Sequence, residues 1–361
     1  MDTFTCPHCG QLVFFANTAC VRCQTELGFD AEQLTLVAVD DPARRCANRT
    51  IANCNWLLDD RPTHTDGTGA SLCPSCALTR TRPADWDQDA LRLFASAEND
   101  KRRLVFQLLS LGLPLHPRDE ATGTGVAFDL LASTAQPVTT GHAAGVITLD
   151  LAESDAVHRE NVRTKLSEPY RTVLGHFRHE IGHYLFTVLI DDAVLGDARA
   201  LFGDETLNYQ AALDRHYRDG APAGWDEQYV SEYATMHPAE DFAETMAHYL
   251  HIRGVLQSAA AFRLRVDGPA PAAHDTDLLA ADPVELDVDD TDDIEPIVET
   301  WLPLSYALNA VNRSMGEDDL YPFVLSPPVI AKLGFIHRII RRATSRPQPV
   351  SEPAAVGGAA R

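Results

Sequence analysis

The sequence predicts an α+β protein: a mostly helical domain with a small sheet, preceded by a cysteine-rich metal-binding module. Three observations predict it. All eight cysteines of the 361-residue chain fall before residue 77, in a spacing suited to two four-cysteine sites. Two short apolar runs with strand character follow the first long helical stretch. A later helical stretch then carries His179-Glu180-Ile181-Gly182-His183.

The front module comes first. Cys6-Pro7-His8-Cys9 and Cys20-Val21-Arg22-Cys23 are two CxxC pairs with ten residues between them. Each pair curls into a knuckle presenting two thiolates, and two knuckles complete a tetrahedron around one zinc ion. Cys46, Cys54, Cys73 and Cys76 form the second quartet, of which only Cys73-Pro74-Ser75-Cys76 is a standard knuckle. This pairing leaves no cysteine over. The start of the chain, Met1-Asp2-Thr3-Phe4-Thr5, lacks the basic and apolar stretches of a secretory leader, so disulfides are not the expected use of these thiols. Structural zinc supplies folding energy to a segment too short for a core of its own. With the cysteines filling both sites, His8 and His64 are expected to be ordinary loop residues.

Apolar residues Trp86, Leu91, Phe94, Leu104, Leu108 and Leu111 recur at helical spacing over 86–111, and Gly112 with Pro114 ends that helix. The runs 126–131 and 145–150 read as strands, bounded by turn residues Gly123, Gly125, Pro137 and Gly141. A long helical stretch continues to about residue 190, with Leu174, Phe177, Ile181, Leu185 and Val188 as its buried face. Pro238, Glu240 and Asp241 suit the first turn of another helix. Residues 267–299 are rich in Asp, Glu and Pro and read as an acidic loop. Helices return near 301–314 and 327–342, and 343–361 reads as a disordered tail. The expected organisation is a zinc-ribbon module over 1–83, a helical domain over 84–342 and the tail.

Charge narrows the function. Thirty Lys and Arg against 52 Asp and Glu give a net −22, which repels phosphate backbones. Arg44, Arg45, Arg49, Arg80 and Arg82 form a modest basic cluster near the second quartet, but nucleic acid is not the expected partner. No apolar run is long enough to span a membrane, so a cytoplasmic location is expected.

The chemistry lies in HExxH. Residues four apart share a helix face, so His179 and His183 can meet one zinc ion while Glu180 emerges beside it, where a base belongs. A catalytic zinc needs a third protein ligand. The metzincin pattern would place Gly at 186 and His at 189, but these are Phe186 and Leu189, so that subclass is excluded. The other common source is a Glu on a later helix. Glu240 and Glu244 share a face, and one can bind zinc while the other holds a ligand histidine by its free ring nitrogen. Asp241 and His237 are further candidates for the third ligand, and His237 also for a donor to the reacting oxygen. His248 and His251 extend the Glu244 face, where polar packing is expected rather than a second metal.

On these residues the chain resembles a family of bacterial zinc-ribbon metallopeptidases. The knuckles, the run at 176–186 (HFRHEIGHYLF), the run at 237–251 (HPAEDFAETMAHYLH) and Asn312-Arg313-Ser314-Met315-Gly316 carry the likeness. Over roughly 170–252 it is also similar to the catalytic domain of anthrax lethal factor, a gluzincin-type protease. There HExxH is followed by a Tyr seven residues before an ExxxE pair, as Tyr233, Glu240 and Glu244 stand here. The linker is longer in this chain, and Asp241 replaces an apolar residue of that pattern. The resemblance implies a zincin-like metallopeptidase domain with His179, His183 and Glu240 as ligands and Glu180 as base. It also implies Tyr233 as oxyanion stabiliser and Glu244 as the partner of a ligand histidine. The expected cofactor is Zn2+, one catalytic and two structural. The expected partners are a peptide or protein substrate and a protein bound through the ribbons. The alternative is a silent binding or adaptor protein on the same scaffold, against which an intact Glu180 speaks.

Overall fold

The computed structural model describes residues 3–59, 64–65, 68–113, 115–133, 138–155, 158–159, 172–266 and 293–345. Two small antiparallel hairpins open the chain, β1 (Phe4–Thr5) with β2 (Leu12–Val13) and β3 (Leu27–Asp30) with β4 (Thr35–Ala38). The cysteine loops hang from these hairpins and from short 3-10 turns.

A four-stranded sheet follows, in the order β5 (Thr79–Thr81), β6 (Ala127–Leu131), β8 (Val146–Asp150), β7 (Gly141–Ala143). The first three strands run parallel and β7 is antiparallel to β8. Gly141, expected as a turn residue, therefore lies in a strand. The run at 145–150 is an interior strand, between β6 and β7. Ala144 and Gly145 explain this: both have positive φ, the signature of a tight two-residue hairpin that folds β7 back onto β8. A Cβ on Gly145 would lie 2.6 Å from the Gly125 carbonyl oxygen, so the backbone approach itself demands glycine.

Helix α1 (Gln88–Ser110) starts where the Asp87 carboxylate accepts from the Ala90 amide. Phe94, Ala97, Leu104, Val105 and Leu108 give its buried side, while Trp86 precedes the helix and is exposed. Helix α2 (Val173–Leu189) is capped by the Thr172 hydroxyl on Gly175 N and buries Phe177, Ile181 and Leu185. Val188, expected on that face, is exposed, while Phe186 and Leu189 beside it pack against the core. Two helices had no counterpart in the sequence reading, α3 (Leu195–Phe202) and α4 (Tyr209–Asp219).

Helix α5 (Pro238–Ala261) packs on α2 along a close seam. Gly182 makes the seam close: a Cβ there would lie 3.0 Å from Ala243 Cα. Helix α6 (Glu295–Ser314) begins inside the segment expected as an acidic loop, since Pro296 suits a first turn and Ile297, Val298 and Trp301 bury. Residues 267–292 of that segment lie outside the described residues. Helix α7 (Pro327–Ser345) takes in the first three residues expected as tail, and 346–361 lie outside the described residues.

One hydrophobic core runs from the cysteine loops to α7. Phe106 of α1 enters the aromatic cluster of the front hairpins, 5.2 Å from Phe15 and 5.6 Å from Phe29 between ring centres. Fully burying side chains of this size contributes about 1.5–3 kcal/mol each, so the front module is welded to α1. Among the described residues, no helix is long and apolar enough to cross a membrane.

Candidate metal centre

The cysteines assemble as their spacing predicts: Cys6, Cys9, Cys20 and Cys23 converge, and so do Cys46, Cys54, Cys73 and Cys76. The sulfur pairs Cys6–Cys23 and Cys9–Cys20 stand 3.6 Å apart, and Cys54 stands 3.7 Å from both Cys73 and Cys76. A disulfide needs about 2.05 Å, whereas zinc–sulfur bonds of about 2.3 Å in a tetrahedron place sulfurs about 3.75 Å apart. The quartets fit zinc. His8 and His64 belong to neither group.

Helix α2 and the first turns of α5 build the second kind of centre. His179 and His183 are one turn apart, with their Nε2 atoms 3.2 Å from each other. Glu240 Oε2 lies 3.0 Å from the first Nε2 and 3.4 Å from the second. Tetrahedral zinc with bonds of about 2.0–2.1 Å sets its ligands about 3.3–3.4 Å apart. The donor atoms alone argue for a cation. His179 Nδ1–H donates to Glu244 Oε1 at 2.6 Å, which leaves Nε2 with a lone pair facing the carboxylate. Glu240 Oε2 is buried without a hydrogen-bond partner. One shared proton cannot satisfy three such contacts at once, but an ion at their centre can. These residues fit zinc.

Around the triangle, Glu244 is itself held by the Ser231 hydroxyl, which donates to Oε2 at 2.6 Å. Glu180 is buried, with a carboxylate oxygen within 4.8 Å of both imidazole donor atoms, and burial raises its pKa. The Tyr233 ring lies 5.9 Å from that of His179. On the sheet side, His142 of the edge strand β7 stacks near-parallel to His183, with ring centres 5.9 Å apart. Its Nε2 accepts from Gly145 N.

The other candidates are engaged elsewhere. Asp241 is paired to Lys332 of α7 at 2.6 Å, and the two are buried together. His237 caps α5, Nδ1 accepting from Ala239 N and Nε2 donating to Leu207 O at 3.0 Å. Its proton is therefore not free for a substrate. His248 bonds to the Tyr321 hydroxyl and His251 takes a long hydrogen bond from Arg178, so both are packed polar groups. Tyr209 was missed: its hydroxyl donates to Glu240 Oε1 at 2.9 Å. Its signal was the apolar and aromatic stripe Tyr209, Ala212, Leu213, His216, Tyr217 at helical spacing.

The basic cluster near the ribbon is neutralised. Arg44 pairs with Asp30, Arg45 and Arg49 with Glu26, Arg80 with Asp129 and Arg82 with Asp85.

Two helices bring imidazoles and a carboxylate onto one point, in a chain that also carries two thiolate quartets, and these donor sets suit zinc. The chain belongs to the family described as "Putative zinc-binding metallo-peptidase", whose model matches residues 90–339, with a zinc-ribbon domain matched over 3–87. It is similar to uncharacterized proteins of Mycobacterium tuberculosis and Mycobacterium bovis, 49% identical over 344 residues that cover 94% of this chain and 95% of theirs. No solved structure matches it. These comparisons do not extend to the lethal-factor resemblance.

Proposed function

We propose that this chain is a zinc-dependent peptidase that hydrolyses peptide bonds, with His179, His183 and Glu240 as ligands of one zinc ion and two further zinc ions in the ribbon. The observation that carries the reading is the convergence of two imidazole Nε2 atoms and Glu240 Oε2 within 3.0–3.4 Å, with buried Glu180 beside them. Zinc held there supplies Lewis acidity, lowering the pKa of water and polarising a carbonyl.

The protein's own groups do the rest. Glu180 takes the proton of the attacking water and passes it to the leaving amine, and its burial favours the protonated form it must adopt midway. Glu244 keeps His179 in the tautomer that presents Nε2. The Tyr233 hydroxyl donates to the oxyanion as charge develops. An extended peptide pairs with the edge of β7 that no strand among the described residues covers, next to His183. The ribbon offers a surface for a protein partner.

Glu180→Gln tests the reading. The amide keeps the shape and cannot take a proton, so the variant should retain its zinc and lose peptide hydrolysis by at least about 100-fold. Hydrolysis at the parental rate in that variant would overturn the assignment.

A further inference from the structure

We propose that Tyr209 is a positioning residue of the metal centre, its hydroxyl capping the outer oxygen of Glu240 and confining that carboxylate to single-oxygen ligation. The inference rests on the function proposed above, since it takes Glu240 as a ligand. Glu240 Oε2 is the oxygen that meets the two imidazole nitrogens, whereas Oε1 accepts the 2.9 Å hydrogen bond of Tyr209. A carboxylate can grip a metal through one oxygen or through both. A donor fixed on one oxygen withdraws its electron density and turns it away, so the second oxygen ligates alone. Three protein donors then leave the open position that a catalytic zinc site requires.

The phenol is placed for this. Tyr209 is the first residue of α4, whose Asn208 cap accepts from Ala211 N at 2.9 Å. Its ring packs on His237, with centres 5.3 Å apart, and His237 is pinned by Leu207 O. Little else fastens α4, since Ala212 is its one buried side chain. The helix thus meets the site through Tyr209, and through the contact of the His216 ring with Tyr233.

Cobalt(II) in place of zinc reads the coordination number directly, because its visible bands weaken when a fifth donor is added. The full-length chain is stripped at this centre with a chelator and reloaded with cobalt. The His183→Ala chain, treated identically, is the blank for cobalt taken up by the cysteines. Tyr209→Phe keeps the ring of a residue that is 42% exposed, so its melting temperature should stay parental. Its cobalt bands should lose intensity towards those of a five-coordinate ion, while Tyr217→Phe on the same helix keeps the parental spectrum. Parental bands in a folded, cobalt-loaded Tyr209→Phe chain overturn the role of Tyr209 alone, as does loss of cobalt from that folded chain. A parent chain with no bands above the blank overturns this proposal together with the proposed function.

Discussion

Glu244 shows how much of the centre depends on a residue that stands behind an imidazole rather than among the three converging donor atoms. Its two oxygens are both used, one on His179 Nδ1 and one on the Ser231 hydroxyl, so the imidazole has a single orientation and tautomer. Removing the charge while keeping the shape loosens that hold. Glu244→Gln should weaken zinc binding about 10–100-fold, measured by competition with a chromogenic chelator. An unchanged constant would mean that His179 is held by its packing alone. Gly182 acts at the same scale through absence, because the space its missing Cβ leaves to Ala243 lets α5 bring both acids to the imidazoles.

At the scale of elements, α5 is the beam on which the site is built, and it keeps two of its histidines from taking up protons. His248 is buried on it and His251 half-buried, and both are held neutral, desolvation pushing their pKa values down to about 4 and about 3. Arg178 adds to the effect at His251. The groups' ordinary value is about 6.5, so below that pH the unfolded chain binds protons that the native helix refuses. Stability should therefore fall as pH drops from about 6.5 towards 4, by up to about 1.4 kcal/mol per pH unit for each histidine. Denaturant unfolding at pH 7 and 5.5 checks this, with His251→Gln expected to show the shallower decline. Equal slopes in parent and variant would show that His251 takes no part. Asp241 is held differently, since Lys332 of α7 sits 2.6 Å away and also donates to Gln228 O. That pair ties α7 to the start of α5 and occupies the acid next to Glu240.

Across the whole molecule the ribbon and the helical domain share one hydrophobic core. Cys76 Sγ lies 3.9 Å from buried Glu98 of α1, Lys101 bonds to Glu98, and Arg102 donates to Ala52 O in the ribbon. Four thiolates around a divalent ion carry a net charge of −2, which the two cations offset in part. Phe106 in the ribbon's aromatic cluster adds an apolar joint to these polar ones. Cys54→Ser should lower the zinc content from about three to about two ions per chain by elemental analysis, and it should lower the melting temperature of the whole chain in a single transition. Two separate transitions, with the helical domain melting as in the parent, would contradict the shared core.

Short-range spacing alone determined the cysteine knuckles, the paired imidazoles and Glu180, because a CxxC turn and a helical i,i+4 interval are local geometry that the chain carries with it. The same locality put Glu240 and Glu244 on one face but left open which of them approaches the two imidazole Nε2 atoms. Only the tertiary structure decided that. The close α2–α5 seam at Gly182 sets the distances, and Lys332 claims Asp241 from a helix 91 residues further on. The edge strand β7 and the phenol of Tyr209 were hidden for the same reason. Periodicity tells which residues share a face, whereas packing between distant segments decides what that face meets at 3 Å.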